Sequence, residues 1–99
     1  MTNKINKKIV LKKIEENKKE IVKFSVKKIG LFGSVLKGKQ KKRSDVDILV
    51  EFDNLTFDNY FYLQTFLEKI FKRKVDLVIE DSLRPELNYV KKEAEYVLL

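Results

Sequence analysis

The sequence predicts an α/β chain in which three short strands are set between helices. Ile29-Gly30-Leu31-Phe32, Val46 to Phe52 and Lys74 to Glu80 are runs of β-forming residues, the first two bounded by Gly and Ser. Around them, Lys4 to Glu20, Phe57 to Lys72 and a last stretch from Pro85 or Glu86 to Glu95 carry apolar residues at helical spacing.

Taken in order, the first helix places Ile5, Ile9, Ile14 and Ile21 among Lys, Glu and Asn, and its many lysines read as a solvated face. Phe24 to Lys28 is a short approach to the first strand. That strand ends in Gly33-Ser34. A Gly at a strand-to-helix turn lets backbone N–H groups approach an anion, and the helix N-terminus beyond it adds partial positive charge. The plainer alternative is that Ser34 caps a helix and does nothing more. The next segment holds Lys37, Lys39, Lys41, Lys42 and Arg43. Such a run can grip nucleic acid, steer a triphosphate or be solvated. Without interleaved aromatics it is no single-strand binding platform, and its place between the turn and the following acids suits a triphosphate.

In the second strand side chains alternate, so Val46, Ile48 and Val50 share one face while Asp45, Asp47, Leu49 and Glu51 share the other. Asp45 and Asp47 therefore point the same way, about 7 Å apart along the backbone. They repel each other unless a cation sits between them. A hard divalent ion such as Mg2+ takes oxygen ligands and commonly uses one or two carboxylates plus substrate phosphates. Read singly, these acids merely end a surface strand. It is their joint spacing with Gly33-Ser34 that points to a site.

Asn54 or Thr56 can cap the next helix, whose stripe is Phe57, Tyr60, Phe61, Leu67, Ile70 and Phe71. Leu63 and Phe66 widen it, which core packing explains; a partner surface formed by Tyr62, Leu63 and Phe66 is the alternative. In the third strand Asp76 stands inside an apolar run, where a buried carboxylate is costly unless paired or bound to a cation. If this strand lies beside the second, three carboxylates converge. Otherwise Asp76 sits at a fraying strand start, ion-paired with Lys74 or Arg73. Pro85 suits the first turn of the last helix, with Leu87, Val90 and Ala94 as its core face. The tail Tyr96-Val97-Leu98-Leu99 either packs back on the sheet or meets a partner.

Bulk properties narrow the chemistry. At 99 residues the chain reads as one domain over residues 1–99. No apolar run reaches membrane-spanning length and none resembles a signal peptide, which predicts a cytoplasmic protein with no membrane partner. With no Cys and no His, disulfides, zinc sites, thiol nucleophiles and His-based triads are excluded. The formal charge of +7 suits an anionic partner (nucleotide, nucleic acid or acidic protein), although heavy use of Lys and Glu is equally a thermophile's composition.

With Gly33-Ser34, Asp45-Val46-Asp47 ten residues after that turn and the later strand Asp76 in view, the chain resembles the DNA-polymerase-β-like nucleotidyltransferase superfamily. It is most similar to the minimal nucleotidyltransferases, the MNT antitoxins encoded beside HEPN-domain toxins. The likeness runs from the first helix to the closing Glu93-Ala94 and Tyr96-Val97-Leu98. The resemblance implies a short mixed β-sheet with flanking helices. It also implies a nucleotide-gripping turn at Gly33 and Ser34, and metal-binding, catalytic carboxylates at Asp45, Asp47 and Asp76. The reaction implied is Mg2+-dependent transfer of AMP from ATP to a tyrosine hydroxyl of a cognate HEPN ribonuclease toxin, with which the chain forms a hetero-oligomer. Two Mg2+ ions would serve the attacking and leaving oxygens, and Asp76 would take the acceptor's proton. Lys37 or Lys39 would neutralise the departing pyrophosphate. Relatives often carry Arg where this chain has Val35 and Lys37, which leaves Lys39 to Arg43 to compensate. Two other readings stay open: an antitoxin acting by occlusion alone, and a nucleotidyltransferase acting on RNA ends. Nucleic acid is not the expected partner.

Overall fold

The computed structural model describes residues 5–41 and 44–99. The element order is α1 (Lys7–Glu16), α2 (Lys18–Val22), β1 (Val26–Phe32), α3 (Gly33–Leu36), β2 (Val46–Phe52), α4 (Phe57–Phe71), β3 (Val75–Ile79), α5 (Tyr89–Glu93) and β4 (Glu95–Val97), with short 3-10 turns between β3 and α5. The four strands form one mixed sheet in the order β3-β2-β1-β4. β1 pairs antiparallel with β2 and with β4, while β2 and β3 run parallel.

α1 starts where Asn6 accepts a hydrogen bond from the Ile9 N–H at 2.9 Å, so the expected start at Lys4 lies outside the described residues. The single helix read through Glu20 is broken at Asn17. There the side-chain amide donates to the Lys13 carbonyl at 2.7 Å, replacing helix continuation with a local bond, and α2 resumes at Lys18. Val10, Ile14 and Ile21 are fully buried.

β1 is longer than the sequence suggested, because Val26 to Lys28 belong to it. The pairing with β2 shifts between Val26 and Lys28, a bulge that breaks the two-residue alternation. Val26 and Ile29 can therefore both reach the core, a pattern that does not look like a strand on paper. β2 occupies the expected residues, and α4 begins after Thr56, whose hydroxyl accepts from the Asn59 N–H at 3.0 Å. α4 ends at Phe71, with Lys72 left-handed at φ 55°.

The core lies on one face of the sheet, where Ile29, Leu31, Val46, Ile48, Val50, Val75 and Leu77 meet the helices through Val10, Ile14, Leu63 and Leu67. Each fully buried aliphatic side chain there stabilises by about 1.5–3 kcal/mol. Leu63 is part of this core, and the Phe66 ring packs against Phe24 at 5.7 Å. Core packing therefore accounts for Leu63 and Phe66, as the sequence suggested, and of the alternative partner surface Tyr62 alone is exposed. Leu55, Phe57 and Phe61 are exposed too, Phe57 being 80% exposed.

α4 also shields the free edge of β3. Tyr60 donates its hydroxyl to the Leu77 carbonyl at 2.6 Å, the Gln64 amide donates to the Val75 carbonyl at 3.1 Å, and Glu68 accepts from the Val75 N–H at 3.0 Å. These three side chains stand four residues apart on one helix face and satisfy backbone groups that would otherwise template another strand.

The end of the chain departs most from expectation. The last helix shrinks to Tyr89–Glu93, Ala94 is extended, and Glu95 to Val97 pair with β1 as an edge strand. Leu87 is exposed, and neither it, Val90 nor Ala94 joins the core. The apolar tail packs back on the sheet through Val97. Among the described residues no helix is long and apolar enough to cross a membrane.

Candidate active site

The face of the sheet opposite the core carries the polar residues of alternating strand positions. Along β2 these are Asp47 and Glu51, with the buried Leu49 between them and Asp45 just before the strand. The parallel register sets Asp47 beside Asp76 of β3, and the antiparallel register sets it beside Phe32, the last residue of β1. The turn that follows Phe32 therefore abuts Asp47.

That turn is built around a missing side chain. Gly33 has φ +78°, and a Cβ there would overlap Oδ2 of Asp47 and lie 2.8 Å from its Cγ. Only glycine fits both the backbone and the neighbour. The Ser34 backbone N–H lies near the Asp47 carboxylate and favours its charged form. The amide that the sequence marked for an anion thus faces this chain's own carboxylate.

Asp47 is half-buried, and burial is the main reason its carboxyl is held above the ordinary 3.8. The charge of Asp76 adds to this and that of Asp45 contributes less, while the Ser34 N–H pulls the other way. Two neighbouring acids thus bear on Asp47. Asp45 and Asp76 are both exposed. The expected burial of Asp76 is therefore corrected: it points outward on the open face of an edge strand, where no burial cost arises. Its charge reaches as far as Tyr60, whose phenol is held above 10.0 by burial first and by Asp76 second.

The basic residues divide. Lys37 stands at the end of α3 and pairs with Glu93 of α5 at 3.4 Å, while Lys39 and Lys41 are exposed. Lys42 and Arg43 lie outside the described residues. α3 itself is only one turn long.

A second polar group closes the far end of the open face. Glu80, 7% exposed, receives Lys28 Nζ and the Tyr96 hydroxyl, each at 3.4 Å, and the Lys28 ammonium stands 4.2 Å from the Tyr96 ring centroid. The ring lies over Gly30, where a Cβ would come within 2.8 Å of it. Burial and the Glu80 charge push the Tyr96 phenol up to about 12. Sequence reasoning assigned none of these residues to a common group, since they come from β1, β4 and the turn after β3, and Tyr96 meets the others only when β4 joins the sheet.

The Nucleotidyltransferase domain family matches residues 11–97, which span the glycine turn and all three acids. The chain belongs to this nucleotidyltransferase family. A nucleotidyltransferase relative from Methanocaldococcus jannaschii, provisionally named a protein adenylyltransferase, is 43% identical over 94 residues, covering 90% of this chain and 92% of its own. The protein adenylyltransferase MntA of Thermococcus cleftensis is 39% identical over 84 residues, covering 82% of this chain and 85% of its own. Among solved structures, one described provisionally as a minimal nucleotidyltransferase shares the fold with a TM-score of 0.71 and 28% identity, over 86% of this chain and 93% of that one. A toxin–antitoxin complex crystallised with AMP-PNP gives a TM-score of 0.65 at 25% identity, over 83% of this chain and 70% of that one. The expected mixed sheet with flanking helices is thus the fold this nucleotidyltransferase has.

Proposed function

We propose that this nucleotidyltransferase is a protein adenylyltransferase antitoxin, moving AMP from ATP to a tyrosine hydroxyl of a HEPN-domain toxin in the cytoplasm and silencing it. The observation that carries the site assignment is Asp47, wedged against the Gly33-Ser34 turn with Asp76 beside it and Asp45 near. The relatives' names support protein adenylylation, and the related complex with AMP-PNP supports both the nucleotide and a toxin as partner.

The donor set fits Mg2+: hard carboxylate oxygens, and an Asp47 whose charge is disfavoured by two neighbouring acids until a cation offsets it. Among the described residues no three acids form a ready-made metal cage, so Asp45, Asp47 and Asp76 would hold the ion together with substrate oxygens. Bound Mg2+ would supply charge neutralisation on the attacking and leaving oxygens. The chain's own residues do the rest. With its amide turned to Asp47, the turn would offer the terminal phosphates the Ser34 hydroxyl, and Lys39, with Lys37 once it leaves Glu93, would meet the departing charge. Asp76, exposed on the strand edge, accepts the proton of the acceptor hydroxyl. The tyrosine oxygen bonds to the α-phosphorus as the bond from that phosphorus to the pyrophosphate oxygen breaks. Holding these groups in line is most of what the reaction needs from a protein.

A mass spectrum of the toxin partner, after incubation with this chain, ATP and Mg2+, tests the reading, with Asp45→Asn as control. A gain of one or more AMP units with wild type alone is the expected result. A stable complex without any gain would make the chain an occluding antitoxin, for which the exposed Leu55, Phe57, Phe61 and Tyr62 offer a surface. A gain on RNA ends instead of the protein would overturn the choice of acceptor.

A further inference from the structure

Asp45 is exposed, and its direction is set by the backbone on either side of it. Both flanking groups are held by the turn between α4 and β3. On one side, Arg73 Nη1 donates to the Ser44 carbonyl at 3.1 Å. On the other, the Val46 N–H donates to the Lys74 carbonyl at 3.0 Å. Ser44 is tied down further, because its hydroxyl accepts from the Lys41 N–H at 2.7 Å and its N–H donates to the Lys41 carbonyl at 3.0 Å. The peptide carrying Asp45 is thus suspended between two consecutive residues of a distant turn, and one of the two supports is a side chain.

Arg73 reaches that position through the end of α4. Lys72 takes the left-handed conformation that stops the helix, which turns the next residue back towards the start of β2. Because β2 and β3 are parallel, their first residues lie at the same end of the sheet, and Arg73 meets Ser44 there.

We infer that Arg73 is a positioning residue for the metal-binding carboxylates, acting on Asp45 through the Ser44 carbonyl; this rests on the active-site reading given above. Groups that orient a metal's ligands typically change affinity by about 10–100-fold when removed. A guanidinium donating to a carbonyl is suited to this because its planar fork is stiff and always charged.

The test measures Mn2+ binding by calorimetry in the presence of a non-hydrolysable ATP analogue and the absence of any acceptor, alongside thermal melting. Four proteins are compared: wild type, Asp45→Asn, Arg73→Met, which keeps a stem of similar bulk without the donor, and Arg73→Lys, which keeps a donor. Wild type should bind and Asp45→Asn should bind far more weakly; no binding by wild type would mean that the active-site reading itself has failed. Given binding, the folded Arg73→Met protein should lose about tenfold or more in Mn2+ affinity, and Arg73→Lys should recover part of it. In turnover the loss should fall on kcat, with the KM for the acceptor protein unchanged. Equal Mn2+ affinity in wild type and folded Arg73→Met, whatever the change in melting, would overturn the inference. Should Arg73→Met not fold, Arg73→Leu, which also lacks a donor, takes its place under the same criteria.

Discussion

Replacing Gly33 by Ala tests the architecture of the site most directly. Two costs arise. The φ of +78° places an L side chain in the left-handed region, at about 1–2 kcal/mol. The new Cβ would also overlap Asp47 Oδ2, so the carboxylate must swing away from the Ser34 N–H that favours its charge. Relieving that overlap and losing the favourable neighbour costs about 1 kcal/mol at a half-buried site. The sum is about 2–3 kcal/mol, which for a domain of this size lowers the melting temperature by about 10–20 °C. Gly38→Ala is the natural control, since Gly38 has φ +70° but nothing within 4 Å of the added Cβ. It carries the backbone cost alone.

Thermal unfolding followed by circular dichroism reads the difference between the two variants. Combining Gly33→Ala with Asp47→Ala should restore part of the loss, because the Oδ2 and Cγ overlaps vanish while the Asp47 Cβ, 3.0 Å from the added carbon, remains. The double variant should therefore be more stable than the two single effects predict by addition. If Gly33→Ala melts together with Gly38→Ala, or if the double variant is strictly additive, Asp47 does not occupy the turn and the site geometry argued from it falls.

Other variants probe the remaining parts. Asp45→Asn and Asp47→Asn should abolish AMP transfer while leaving the fold intact. For Asp47 the sign is definite: a folded carboxyl held above 3.8 favours the native state at low pH and loses that contribution as pH rises, so Asp47→Asn should gain stability relative to wild type from acid to neutral pH in melting curves. Loss of folding in both variants would sink the metal-site assignment. The Tyr96 phenol, pushed from 10.0 to about 12, stabilises the fold below pH 10 and stops doing so as pH climbs towards 12, so wild type should lose stability across that interval by an amount missing from Tyr96→Phe. Ultraviolet titration of the phenolates should show the matching late proton. Lys37→Ala should change stability by less than about 1 kcal/mol, its pair with Glu93 being half-exposed, yet weaken ATP binding measurably in an equilibrium titration.

Much of this site is legible in the residues because its parts are local. Gly33-Ser34 follows a β-forming run directly, and Asp45 and Asp47 sit two apart at the start of a strand, so turn and acid pair can be read without knowing any long-range contact. What fails is whatever depends on a neighbour in space. Asp76 looks buried because the residues around it are apolar, yet those residues alternate and its own face is open. The start of β1 is hidden by a bulge that spoils the alternation of Val26 to Ile29. Glu95 reads as a helix end and Tyr96-Val97 as an apolar tail, but β4 gains its pairing from β1, which no local preference records.

The pairing of β2 with β3 lies between these cases. Parallel neighbours need a crossover of a dozen or more residues, and the 15-residue α4 supplies it, so the chain between the strands already implies that Asp47 and Asp76 begin from the same end of the sheet. Register is then fixed by burial. Sliding β2 by one residue would bring Asp47 to the helix-covered face and expose Val46, Ile48 and Val50, all fully buried, at about 1.5–3 kcal/mol each. The apolar half of this strand, which takes no part in the chemistry, is therefore what holds its acidic half against Gly33 and beside Asp76.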